Sequence, residues 1–387
     1  MGDMSRRMLL SGTAAALGTL AVAPARAMRV GAASRDRLVI NGLGGFEDPN
    51  LDALSKVYPG LELNDGGDHF TDRVWADLRA SGLNAVNVTL GYVAGPSDPF
   101  ESTISDIATW DRVVRANPGR LLKVYSGADI LEAKRSGRLG LIYGFQNSVQ
   151  IGSKAERVDL YADLGLRVLQ LTYNPANDLG GGSLAGDKGL TDFGREVIER
   201  AEQRKVLVDL SHSGTQICLD AAKAARRPIS ISHTGCRALY DVPRNKTDEE
   251  LRAVARTGGV VGIYFMPFLV KGGRAQASDV VAHIEHALQV CGEDHVAIGT
   301  DGPVTQNDDL ALFRQAIHVE NDQRRAAGIN TPGEDGDDIY TFVADLRGPT
   351  QFHHLADLLA ARGHSEAVID KILGRNLLRL YKDVWGA

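Results

Sequence analysis

Leu210-Ser211-His212-Ser213-Gly214 and Ile231-Ser232-His233-Thr234-Gly235 decide how this chain is read. Each closes a short apolar run, Val206–Ser211 (VLVDLS) and Pro228–Ser232 (PISIS), and each turns at a glycine two residues past a histidine. Runs this short and this apolar suit parallel strands buried on both faces. Six more lie around them: Arg37–Asn41, Asn84–Leu90, Leu139–Phe145, Arg167–Thr172, Val260–Phe265 and His295–Thr300. Amphipathic stretches separate the runs. Asp192–Arg204 puts Phe193, Val197, Ile198 and Ala201 on one helical face. Thr247-Asp248-Glu249-Glu250 opens a helix with a capping-box pattern, and Thr215–Ala225 and Ser278–Val290 read as two more. Alternating strand and helix predicts an α/β fold, and eight such strands predict a (β/α)8 TIM-type barrel. A doubly wound open sheet is the competing arrangement.

A barrel of about 250 residues leaves room for insertions in this chain. Residues 28–387 read as one domain, with insertions at Glu47–Arg79 after strand one, Gly91–Arg138 after strand two and Gly302–Thr350 after strand eight. The last is polar, acidic near Pro332–Asp338, and reads as a long loop or lid. Residues 1–27 read as a twin-arginine export signal. Ser5-Arg6-Arg7-Met8-Leu9-Leu10 precedes a mild apolar stretch, and Ala25-Arg26-Ala27 is an A-x-A cleavage site. The expected location is the periplasm, with no stable membrane span. A net charge of -6 gives no basic excess for a nucleic-acid backbone. Cys218, Cys236 and Cys291 are an odd set in apolar surroundings and read as buried thiols.

Barrel chemistry gathers past the C-terminal strand ends. Those positions hold Asn41-Gly42-Leu43-Gly44-Gly45, Thr89, Gln146-Asn147, Tyr173-Asn174, His212, His233, Met266 and Asp301. Adjacent strands bring His212 and His233 together, and Asp301 completes a His, His, Asp group. These are donors that a divalent ion such as zinc accepts. Arg244, in the turn Asp241–Asn245, is suited to grip a carboxylate, or else to pair with the helix that follows. His283 and His286 read as solvated positions of an outer helix. The run Gly42-x-Gly44-Gly45 lacks the rest of a dinucleotide fingerprint, since residue 47 is Glu.

Longer stretches resemble the membrane (renal) dipeptidases, peptidase family M19, among the amidohydrolase-like, metal-dependent barrels. They are Gly189–Arg195 leading into Val208–Ser213, Ser232–Leu239 leading to Pro243-Arg244-Asn245 and Thr247–Glu249, Gly258–Ile263, Ile298–Gly302, and Ile372–Arg379. The resemblance implies two zinc ions, an H-x-D pair at strand one, a bridging Glu, and two histidine ligands matching His212 and His233. It further implies a carboxylate-binding role for Arg244, and for Asp301 a role in moving the protons of the attacking water and the leaving amine. The chain departs from that pattern. Leu43 and Gly45 stand at the H-x-D positions, Gln146 at the bridging Glu, and Tyr173 at the histidine that polarises the scissile carbonyl. Glu47 or Asp48 are the available substitutes for the missing pair.

The resulting expectation is a divergent dipeptidase-like hydrolase with one zinc ion at most, held by His212, His233 and either Gln146, a weak ligand, or Asp301. Asp301 would act as base and acid, and Tyr173 would stabilise an oxyanion. The substrate, a dipeptide or other small molecule bearing a carboxylate, would meet Arg244, Asn245, Tyr173 and Asn174. A homodimer is expected by analogy. One alternative is a metal-independent lyase, isomerase or decarboxylase using the same imidazoles. The other is a binding protein without catalysis.

Overall fold

The computed structural model describes residues 36–59, 61, 70–330 and 339–386. Nine strands form one parallel sheet: β1 (Val39–Asn41), β2 (Leu83–Leu90), β3 (Leu121–Lys123), β4 (Leu139–Phe145), β5 (Leu166–Gln170), β6 (Leu207–Asp209), β7 (Ser230–Thr234), β8 (Val260–Ile263) and β9 (Val296–Ile298). The path runs β1-β2-β4-β5-β6-β7-β8-β9, with β3 on the edge of β4. The last strand returns to the first. The Gly42 amide donates to the Ile298 carbonyl at 2.9 Å, and Gly45 bridges Pro303. This is a nearly closed (β/α)8 barrel, and the return of β9 to β1 excludes the open sheet.

All eight anticipated runs are strands. The extra strand, β3, pairs with Leu139–Leu141, below the part of β4 that β5 reaches. Three residues carry no period that a sequence reading could detect.

Inward side chains Ile40, Ala85, Ile142, Val168, Leu207, Val260 and Ala297 form a compact layer inside the barrel. Leu377, Leu380, Tyr381, Val384 and Trp385 of the C-terminal helix Asn376–Trp385 pack against that layer. The helix plugs the N-terminal end of the barrel and leaves the opposite end for chemistry.

Near that end β7 is irregular, its register shifting between Ile231 and Thr234. The Ser232 carbonyl turns toward β8, β9 and the start of the β1 loop. Glycines make the room: a Cβ would come within 2.0 Å of that oxygen at Gly262, 1.9 Å at Gly299 and 3.0 Å at Gly42. This kink carries His233 into the barrel mouth.

The insertion after β9 is not simply a loop. Leu310–Ala326 is a 17-residue helix, capped by Asp309, whose carboxylate accepts from the Ala311 and Leu312 amides at 2.9 Å. Its buried residues are only Ala316, Ile317 and Asn321, so its apolar stripe is too thin to stand out in the sequence. It lies against the helix Pro49–Val57, where Lys56 meets Glu320 at 2.8 Å. The anticipated acidic stretch Pro332–Asp338 and the export signal lie outside the described residues. No described helix is long and apolar enough to cross a membrane.

Candidate active site

His233 follows directly from the β7 kink and is fully buried. Its Nδ1 lies 2.9 Å from Ser232 Oγ, which lies 3.0 Å from Ser211 Oγ on the neighbouring strand end. Ser211 Oγ donates to Asp209 Oδ1 at 2.6 Å. His212, buried one strand away, has its Nδ1 2.6 Å from Asn174 Oδ1. The Asn174 amide donates to the Ile329 carbonyl at 2.7 Å, and Ser183 Oγ donates to Asn174 Oδ1 at 2.9 Å. That orientation fixes Oδ1 as an acceptor, so His212 carries its proton on Nδ1. Neither His212 Nε2 nor His233 Nε2 has a hydrogen-bond partner among the described residues.

Burial holds both imidazoles well below their usual range, helped by the nearby Arg244 cation. For His212 the His233 ring, Arg324 and Lys246 add to the effect. Both rings are therefore neutral near pH 7, and His212, protonated on Nδ1, offers a bare Nε2 lone pair. The ring centres stand 5.0 Å apart. Two imidazoles sharing one tetrahedral zinc, at Zn–N distances of about 2.0–2.1 Å, place their ring centres about 5 Å apart. The donor pair thus fits one ion.

It does not fit two. Leu43 and Gly45 offer no ligand, and the Gln146 amide donates to Thr89 Oγ1 at 2.6 Å. Among the described residues no group of three His, Cys, Asp or Glu is arranged to hold a metal. The expected His, His, Asp group therefore does not close, and Gln146 is engaged with Thr89.

Tyr173 stacks on His212 with ring centres 4.0 Å apart. Arg324, from the helix after β9, donates to the Tyr173 hydroxyl at 3.2 Å. Sequence reasoning missed Arg324, because only the fold brings that helix back over the β5 strand end. Arg244 is buried beneath the same cluster and donates to the Ser211 carbonyl at 2.7 Å.

Asp301 lies on the other side of the mouth, in a left-handed conformation with φ 57°. It lines a cavity of about 450 Å³ together with Gly45, Glu47, Thr89, Phe265 and Arg347. The histidines, Tyr173 and Arg244 do not line it. The two groups adjoin through Gly299, where a Cβ would lie 3.3 Å from His233 Cβ. The Glu47 carboxylate folds over Gly45, accepting from the Phe46 amide at 3.0 Å. Asp48, the other suggested substitute, is committed elsewhere. It caps the helix Pro49–Val57 through the Asn50 amide and accepts from Thr71.

Two expected substrate contacts are engaged within the protein, and one further expectation needs correction. Asn245 is fully buried, with its amide donating to the Tyr240 and Phe268 carbonyls and its Oδ1 accepting from Tyr264, and so braces the turn. Asn174, also expected at the substrate, orients His212. His283 is buried, not solvated. Its Nε2 lies 2.9 Å from the Leu269 carbonyl, and its Nδ1 accepts from the Cys236 amide. Of the thiols, Cys218 and Cys236 are buried and Cys291 is half-buried; all three are free.

The membrane dipeptidase family (peptidase family M19) matches residues 54–307. A Klebsiella pneumoniae protein encoded in the region 5′ of pqqA is 30% identical over 302 residues, 75% of this chain and 98% of that one. The structure of an amidohydrolase from Pseudomonas aeruginosa is 29% identical, with a TM-score of 0.74, covering 91% of this chain and 98% of that one. A metallopeptidase from Rhodobacter sphaeroides, solved with a phosphinate mimic of L-Ala-D-Ala, shares the fold at 19% identity. Its TM-score is 0.69, over 90% of this chain and 99% of that one.

Proposed function

Since this chain belongs to the membrane dipeptidase family, peptidase family M19, we propose that it hydrolyses an amide bond in a small, carboxylate-bearing substrate of dipeptide type, using one divalent ion at most. The observation that carries this reading is the pair of buried, neutral imidazoles with unpartnered Nε2 atoms. His212 and His233 would hold the ion. When bound, it supplies a Lewis acid and a water acidified toward a pKa of about 7.

The remaining roles belong to the protein. Asp301, in the cavity beside His233, takes the proton of the attacking water and returns it to the leaving amine. The Arg324 donation polarises the Tyr173 hydroxyl and makes it a better donor to a developing oxyanion. Arg244 supplies the buried cation for the substrate carboxylate. The test is elemental analysis of the folded protein together with a dipeptide panel. Zinc near one equivalent and turnover that a chelator abolishes are expected. Folded protein with neither zinc nor turnover refutes the reading.

The lack of a third acidic, Cys or His donor among the described residues favours a second reading. In it the imidazoles act as proton acceptors on a small carboxylic acid, in a lyase, isomerase or decarboxylase reaction. Turnover insensitive to chelator distinguishes it. Residues 1–27 further support export to the periplasm, which cell fractionation of the tagged full chain tests.

A further inference from the structure

The bonds around His233 carry a direction as well as a geometry. We infer that Asp209, Ser211 and Ser232 are positioning residues that keep a proton on His233 Nδ1 and so present its Nε2 as a lone pair.

Asp209 is buried and surrounded by donors. Its Oδ1 accepts from the Ser211 amide at 3.0 Å and from Ser211 Oγ at 2.6 Å. Its Oδ2 accepts from the Ser232 amide at 2.6 Å and from Ser230 Oγ at 2.7 Å. Burial pushes the Asp209 carboxyl up, two backbone amides and two hydroxyls pull it back, and as the ion it accepts all four. Each serine hydroxyl has a single proton to give. Ser211 spends its proton on Asp209, so its oxygen accepts from Ser232 Oγ and from the His233 amide at 3.1 Å. Ser232 spends its proton on Ser211, so its oxygen must accept from His233 Nδ1. No link can reverse unless the others do.

The two strand ends carry this chain because of their register. Asp209 pairs with Ser230, and side chains alternate along each strand, so Asp209 and Ser211 face Ser230 and Ser232. The β6 and β7 ends thereby build a proton-ordered wire pointing at one imidazole. His212 reaches the same tautomer independently through Asn174. The use of Nε2, on an ion or a substrate proton, rests on the reading above; the tautomer does not.

The test reads ring nitrogens, not turnover. The full chain, labelled with 15N-histidine and stripped of metal by chelator, is examined by long-range 15N–1H correlation. Both His212 and His233 are expected as neutral rings with the proton on Nδ1. In Ser211→Ala, which removes no atom touching the His233 ring, the Ser232 hydroxyl loses its acceptor and turns to donate to Nδ1. The proton then moves to Nε2 in half or more of the molecules, while His212 stays unchanged as the internal standard. Ser232→Ala, which strips the ring of its partner directly, gives the same shift and serves if Ser211→Ala does not fold. A wild-type His233 protonated on Nε2, or a His233 tautomer unmoved in either folded variant, overturns the assignment. A protein that proves inactive on every amide leaves this readout intact, so the two proposals fail separately.

Discussion

Replacing Gly299 by alanine tests whether the β7 kink is held by the glycines around it. The added Cβ would stand 1.9 Å from the Ser232 carbonyl oxygen and 3.3 Å from His233 Cβ. A relaxed carbon–oxygen contact is about 3.3 Å, so the carbonyl must retreat by about 1.4 Å or β9 must open by as much. Neither motion is soft. The clashing atom is backbone of a strand paired to β6 and β8, and the other edge is β9, paired to β8. Overpacking of this kind costs roughly 1–3 kcal/mol. A displacement of His233 by about 1 Å would lower any turnover by about a hundredfold. The control is Gly119→Ala, where a Cβ meets nothing within 4 Å and the backbone is not left-handed. It should be neutral or add up to about 1 kcal/mol. Urea unfolding of both variants measures the difference. Gly299→Ala as stable as Gly119→Ala would refute the argument.

Two other variants probe buried charge. Burial pushes the His283 imidazole down to about 4, against about 6.5 in an unfolded chain. The unfolded chain therefore binds a proton first as pH falls. Stability should drop between pH 6.5 and pH 4 by roughly 3 kcal/mol from this residue, and stay flat above. In His283→Gln the side chain can still donate to Leu269 and accept from Cys236 but cannot titrate, so urea unfolding at pH 4.5 and 7.5 should show a shallower slope; an unchanged slope counts against it. Lys246→Met breaks a fully buried pair with Glu250 at 3.4 Å. It should cost about 3–5 kcal/mol, and a loss under 1 kcal/mol in the same assay would show that the pair is not holding the structure.

The barrel was legible because its signal is repeated. Eight apolar runs each separated by turns and amphipathic stretches leave few other folds, and all eight became strands. His212 and His233 were legible for the same reason, since matched contexts on consecutive strands imply neighbouring positions. What escaped depends on distant contacts. Arg324 reaches Tyr173 across 151 positions, and Ile329 fixes the Asn174 amide across 155. His283 looked solvated because its partners, Leu269 and Cys236, lie outside its helix. Asp209 was visible only as part of a family motif. A clue was present in the alternation of Asp209 with Ser211 and of Ser230 with Ser232, but its meaning needs the β6–β7 register.

An acid restored at position 45 would not land in open space. Its Cβ would stand 2.7 Å from Oε2 of Glu47, two anions contesting one spot. Oε2 is the tip of a flexible side chain, so Glu47 would swing aside and give up its bond from the Phe46 amide, and Leu43 would still supply no imidazole.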